Sequence, residues 1–212
     1  MTHRIVRIED AGPDRKARRL IFDDGSDERL TSAAAVKQLS LEAGSTVDRV
    51  ALEDELLGAE GPLAKERALR LLGYRDRSSS ELCKRLHDSG YSDQLAQSIV
   101  TRFTELGLVD DERFTAAWTR SRLASGVGPR RIQNELALKG VPAHMIAAAM
   151  AAECPDDTRL LLAKRALRGQ VPADRKLRDR LIRRLVTRGY DLSTAIQAVS
   201  EAGDPGSQPD SP

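Results

Sequence analysis

Three stretches of the chain decide its fold: SSSELCKRLHDSGYSDQLAQSIV over residues 78–100, GPRRIQNELALKGVPAHMIAAAM over 128–150 and RDRLIRRLVTRGYDLSTAIQAV over 178–199. They align on Gly90, Gly140 and Gly189, spaced 50 and 49 residues apart. Leu82, Ile132 or Leu181 stands eight residues before each glycine, Leu86, Leu136 or Leu185 four before it, and Val100, Met150 or Val199 ten after it. Apolar residues four apart share a helix face, and a glycine just past a helix end takes the left-handed conformation at little cost. Each stretch therefore reads as helix, glycine turn, helix. A third helix precedes each pair, over 63–75, 112–124 and 157–169, giving three tandem three-helix units. One such unit buries only a small face by itself, so neighbours are expected to stack into an elongated array.

Capping residues mark the boundaries independently. Ser78 to Glu81 has the form of a capping box, and Pro129 and Pro142 suit the first helical position, where a missing N–H costs nothing. Asp110 and Asp111 precede Glu112 where negative charge suits a helix start. Ahead of the repeats, residues 3–31 read as strands, with Asp24-Gly25 as a hairpin signal. A short Ala-rich helix follows over 33–39, Gly44 breaks it, and a second helix over 47–57 is interrupted by Gly58 to Pro62. After Pro62 no strand signal remains. The tail from Gly203, GDPGSQPDSP, has no apolar residue to offset its ordering entropy and is expected to be disordered. The expected fold class is mainly α, tandem three-helix repeats with a small β-hairpin-containing N-terminal region. Its divisions are an N-terminal extension over 1–60, repeats over 61–109, 110–152 and 153–202, and a tail over 203–212.

Composition bounds the function. At 212 residues and 40% hydrophobic content the chain can bury a core, which excludes disorder throughout. Its 34 basic and 32 acidic side chains leave a formal net charge of +2, too little to argue for a nucleic-acid binder or an acidic tail. The distribution is uneven: residues 1–60 are net −4, while 61–152 and 153–202 are each net +4. Arginine outnumbers lysine 27 to 7, which favours forked binding of carboxylate or phosphate, though a GC-rich genome gives the same bias. No run of 18 apolar residues exists and the first 20 residues lack a signal-peptide core, so a soluble, cytoplasmic protein without a membrane partner is expected. Cys83 and Cys154 have neither CxxC spacing nor paired histidines, so neither a disulfide framework nor a zinc site is expected. His3, His87 and His144 stand in unrelated positions, and the acidic pairs 110–111 and 156–157 sit at helix starts where capping accounts for them. The reading is a non-enzyme with no cofactor.

The densest constellation is in the middle unit: Asp110-Asp111-Glu112-Arg113-Phe114, Trp118, Arg122, Gly126-Val127-Gly128-Pro129, Ile132, Glu135-Leu136 and Lys139-Gly140-Val141. Helical spacing puts Phe114, Ala117, Trp118 and Ser121 on one side as the core face, and Arg113 with Arg120 on another stripe. Arg131, Glu135 and Lys139 line one side of the next helix. They read either as surface ion pairs, each worth ~0.3–0.5 kcal/mol, or as partner contacts. Gly126-x-Gly128 lacks the third glycine and Lys-Ser of a phosphate loop and reads as a tight turn.

This run, with DDERF, Trp118, Arg122, GVGPRRI, Glu135-Leu136 and Lys139-Gly140-Val141 in order, resembles the middle of the RecX family of bacterial recombinase regulators. Ala68-Leu69, Arg77-Ser78, Glu81-Leu82 and Gly90-Tyr91 resemble the family's first unit, and Arg188-Gly189-Tyr190 its third, so the likeness covers about 62–200. Residues 1–60 lie outside it, as do the N-terminal extensions of longer members. The resemblance implies binding to the RecA recombinase and to RecA–DNA filaments, along the helical groove, with suppression of ATP hydrolysis, strand exchange and filament growth in DNA repair and recombination. Weak direct DNA binding is a further implied property. Arg113, Arg120, Arg122, Arg130, Arg131 and Lys139 are the candidate contacts to RecA or DNA phosphate. Arg122 has two readings, as a contact or as a brace for the Gly126 turn. The alternative function is a stand-alone DNA-binding protein using its trihelical units as helix-turn-helix modules, against which Ala143 to Met150 is almost all apolar or small.

Overall fold

The structure is a computed structural model and describes residues 2–25 and 28–203. It divides into two compact units, Met1–Asp110 and Asp111–Pro212. Residues 204–212, most of the tail expected to be disordered, lie outside the described residues.

The first unit opens with strands β1 (Thr2–Ala11), β2 (Ala17–Phe22) and β3 (Arg29–Ser32), then helix α1 (Ala33–Gln38) and strand β4 (Thr46–Asp48). The strands form an antiparallel sheet in the order β3-β2-β1-β4. Gly25, between β2 and β3, has the positive φ of 66° that the Asp-Gly signal demands. Alternation along the strands turns Ile5, Leu20 and Phe22 inward, where they pack with Ala35, Leu52 and Leu56.

Helix α2 runs without interruption from Arg49 to Tyr74, through Pro62. The expected break at Gly58 to Pro62 is therefore corrected, and residues 60 and 61 belong to one helical turn. Asp48 caps α2 by accepting from the amides of Val50 and Ala51 at 3.0 and 3.3 Å, and Val47 and Asp48, expected to open the helix, belong to the short strand Thr46–Asp48. Pro62 forfeits one backbone bond and costs about 3 kcal/mol in a helix interior. Burial outweighs it, since Leu52, Leu56, Ala59, Ala64, Ala68 and Leu71 form a buried stripe through the proline. A fully buried leucine alone contributes roughly 1.5–3 kcal/mol. Glu60 on this stripe is 1% exposed, and its carboxylate accepts from the Thr31 hydroxyl at 2.6 Å and pairs with Arg29 at 3.5 Å.

The C-terminal half of α2 forms the first trihelical module with α3 (Ser79–His87) and α4 (Asp93–Glu105), around Ala68, Leu82, Leu86, Tyr91, Ile99 and Phe103. The Ser78 hydroxyl accepts from the Glu81 amide at 3.1 Å, as expected of the capping box, and the Glu81 carboxylate pairs with Arg75 and Arg77.

The second unit holds two modules. One comprises α5 (Asp111–Ala124), α6 (Pro129–Leu138) and α7 (Ala143–Glu153), and the other α8 (Arg159–Leu167), α9 (Arg175–Thr187) and α10 (Leu192–Ala202), after a 3₁₀ turn at Asp156–Thr158. Pro129 occupies the first turn of α6, whereas Pro142 is the N-cap of α7, one position earlier than expected. The α5 core face also differs from its expected composition. Phe114, Thr115, Thr119 and Leu123 are buried, Trp118 is half-buried, and Ala117 and Ser121 are exposed. Two threonines hide this face from a pattern of apolar letters: Thr115 turns its hydroxyl onto the Asp111 carbonyl at 2.5 Å and leaves its methyl to the core.

The repeat glycines do more than end helices. Gly189 (φ 99°) leaves no room for a side chain, because a Cβ there would lie 2.5 Å from Cβ and 2.6 Å from N of Arg131. The two modules of this unit meet backbone to backbone, with the Gly128 amide donating to the Arg188 carbonyl at 2.8 Å and the Arg130 amide to the Gly189 carbonyl at 3.1 Å. Gly90 (φ 93°) plays the same part in the first unit, where an added Cβ would overlap the Thr31 carbonyl.

Candidate functional site

The six candidate cations are placed by α5 and α6, and they do not form one patch. Arg122, on the last turn of α5, meets Glu135 of α6 in a forked pair: Nε to Oε2 at 2.7 Å and Nη2 to Oε1 at 2.6 Å. Arg131 adds a third bond to the same carboxylate, Nε to Oε1 at 3.3 Å, across one helical turn. The hydrogen bonds and charge of Arg122 hold the Glu135 carboxyl below the usual range, against the opposing effect of burial, and Glu135 in turn raises the Arg122 guanidinium. The Arg122–Glu135 pair ties α5 to α6 close to the Gly126 turn.

An aromatic step adjoins this pair. Phe114 and Trp118 stack at 5.9 Å between centroids and 28° between planes. The Lys139 ammonium sits 4.3 Å from the Trp118 centroid and the Arg122 guanidinium 5.8 Å from it, distances at which the ring's quadrupole attracts a cation. Arg122, Arg131, Glu135, Lys139 and Trp118 thus form one cluster.

The other three candidates lie apart. Arg120 reaches Glu153 at the end of α7, Nη1 to Oε1 at 2.5 Å. Arg113 and Arg130 are exposed, and Arg130 uses its backbone amide in the module junction. Arg120 also borders a cleft of about 420 Å³ whose other cations, Arg165, Arg168 and Arg188, were not among the candidates. A signal for them exists in the sequence, since neither Arg165 nor Arg168 has an acidic residue three or four positions away to pair with along its own helix.

The histidines share no site. His3 Nδ1 lies 3.0 Å from Asp24 in the sheet unit, and His87 Nδ1 lies 2.7 Å from Asp93. Burial pushes both the Cys83 and Cys154 thiols up, away from nucleophilic thiolate. No helix among the described residues is long and apolar enough to cross a membrane.

With this geometry in view, two family models match the chain: the first three-helix domain of RecX over residues 64–103 and the second over 110–150. The regulatory protein RecX of Mycolicibacterium smegmatis is 39% identical over 146 residues, covering 65% of this chain and 78% of that protein. The regulatory protein RecX of Chromohalobacter salexigens is 34% identical over 142 residues, covering 65% of this chain and 91% of that protein. Among solved structures, a crystal structure of regulatory protein RecX superposes with a TM-score of 0.56 at 23% identity, over 92% of this chain and 98% of that one. RecX from Lactobacillus salivarius gives 0.58 at 18% identity, over 68% and 96%. These two likenesses concern the fold.

Proposed function

Because the chain belongs to the RecX family of regulatory proteins, we propose that it binds the RecA recombinase and RecA–DNA filaments and chiefly inhibits their ATPase and strand-exchange activity, in DNA repair and recombination in the cytoplasm. The proposed mechanism is steric and electrostatic, without catalysis. Trihelical modules repeated along one chain suit a target that repeats its own surface. Modest contacts on successive protomers combine through effective concentration into tight binding.

The observation that carries this reading furthest is the split among the candidate cations. Arg122 is bound to Glu135, Arg120 to Glu153 and Arg131 to Glu135, whereas Arg130 extends into solvent beside the junction of the two modules. Arg130, with the exposed part of Arg131, is therefore the proposed contact face, and Arg122, Lys139 and Trp118 give it shape. Charge reversal at Arg130 and Arg131 together is expected to relieve inhibition of RecA ATPase with the helical circular-dichroism signal intact. Arg130→Glu alone keeps the Arg131–Glu135 pair and separates a lost contact from a disturbed helix. Full inhibition by both folded variants removes these residues from the interface. The alternative, a stand-alone helix-turn-helix reader of DNA, predicts a steep salt dependence on bare DNA and no preference for RecA-coated DNA.

A further inference from the structure

A pocket of about 240 Å³ lies inside the first unit, where the sheet is seated on the first trihelical module. The two parts approach closely enough to fix its walls: a Cβ added at Gly12 would lie 2.5 Å from the Asp88 carbonyl oxygen, and Arg85 pairs with Asp14 across the same seam at 3.3 Å. Lys16, just ahead of β2, and Ala33 and Ala34 of α1 line the pocket from the side of the sheet. Leu63 and Arg67 of α2 and Tyr91, next to the Gly90 turn, line it from the side of the module.

Within this pocket the charge of Arg67 has no answer. The residue is half-buried, and among the described residues its side chain makes one hydrogen bond, a long one from Nε to the Ser89 hydroxyl at 3.4 Å. The arginines around it are matched to carboxylates, Arg70 to Glu66 at 2.9 Å and Arg85 to Asp14. Neither Arg67 nor Lys16 forms an ion pair among the described residues. Burial, and next the charge of Arg70, hold the Arg67 guanidinium below its usual range, the direction expected of a cation taken from water with no counter-ion against it. Beside the two cations Ala33, Ala34, Leu63 and the buried Tyr91 supply an apolar wall.

We propose that this pocket binds a small organic carboxylate, with the Arg67 guanidinium and the Lys16 ammonium on the carboxylate and the apolar wall against the body of the ligand. The planar fork of an arginine matches a carboxylate in both shape and charge, and the terminal nitrogens of Arg67 have no other partner among the described residues. The volume falls below the roughly 300–1,000 Å³ of sites for drug-sized ligands, too little for a nucleotide. Inorganic phosphate would satisfy the two cations but leave the apolar wall against water. An uncharged ring would cover the wall but leave a half-buried guanidinium unpaired, which is costly. Because the walls come from both sheet and module, a bound ligand stabilises the seam between them, and the melting temperature rises with ligand concentration. The pocket shares no residue with the proposed recombinase contacts, and it is measured without the recombinase.

The test is a saturation-transfer NMR titration of the full chain with benzoate, compared with benzyl alcohol, which keeps the ring without the charge, and acetate, which keeps the charge without the ring. Benzoate is expected to bind about tenfold or more tightly than either. Inorganic phosphate at equal concentration leaves most of the benzoate bound. Arg67→Met is expected to weaken benzoate binding roughly tenfold, and Arg67→Lys to recover part of the loss, since an ammonium cannot fork. Lys16→Gln, at an exposed position that the fold does not depend on, weakens it several-fold. Arg102→Gln, in the same unit and paired with Glu105, leaves it unchanged. The proposal is overturned if benzoate does not bind the wild-type chain, if benzyl alcohol or acetate binds as tightly, or if phosphate displaces benzoate at equal concentration. Wild-type affinity in Lys16→Gln or in a folded Arg67→Met, or an equal loss in Arg102→Gln, overturns it as well.

Discussion

Arg122 illustrates how one guanidinium can be committed inside a fold. Its forked pair with Glu135 ties α5 to α6, with the Arg122 side chain 29% and the Glu135 side chain 20% exposed, so solvent screens the pair only in part. Arg122→Ala is expected to destabilise the second unit by about 1–2 kcal/mol in urea unfolding. Arg122→Lys should recover only part of this, since an ammonium cannot fork. Asp191 gives a pH dependence of defined sign. Its carboxylate accepts from the Ser193 hydroxyl at 2.6 Å and from the Thr194 amide and hydroxyl at 2.8 Å each, which holds its pKa at about 2 against an ordinary 3.8. A carboxyl depressed in the folded state contributes stability that is fully present above the unfolded value and is lost as pH falls through the folded one. The unfolding free energy should therefore decline between pH 3.8 and about 2, and Asp191→Asn should flatten that part of the curve. An unchanged acid limb in the asparagine variant would assign the decline to other carboxyls, Glu135 first.

At the scale of elements, the junctions depend on glycine for two separable reasons. Gly189 combines a positive φ with backbone of α6 at van der Waals overlap, whereas Gly107 has a φ of 69° and nothing within 4 Å of an added Cβ. Gly107→Ala is expected to cost about 1 kcal/mol from backbone conformation alone, and Gly189→Ala about 3 kcal/mol or more. Equal costs in thermal unfolding would show that close approach adds nothing. Pro62→Ala restores an amide donor inside α2 and is expected to stabilise the first unit by about 1–3 kcal/mol. The helices, their caps and the glycine turns were legible because each rests on local rules: i, i+4 spacing around Leu82 and Leu86, serine before an acidic first turn, glycine at positive φ. The three-residue strand β4, the unbroken α2 and the threonine-lined face of α5 were not legible, because long-range packing decides them. Pro62 and Gly58 carry the usual signs of a break, and only the sheet and α4 beneath their helix override them. Among the candidate residues, spacing brought Arg131 and Glu135 together along α6. It could not reveal that Arg122 closes on the same carboxylate from another helix, or that Arg168 and Arg188 border one cleft.

At the scale of the whole molecule, the chain is two compact units of sheet and trihelical modules in a family of regulatory proteins. Its histidines are dispersed and its thiols are held away from reactivity by burial. The most direct test is RecA filament assembly on single-stranded DNA, followed together with ATP hydrolysis, with and without the full chain. Filament extension should slow, and ATP hydrolysis should fall further as protein is added. Filaments that grow and hydrolyse ATP at an undiminished rate beside an excess of folded protein would contradict the proposed inhibition.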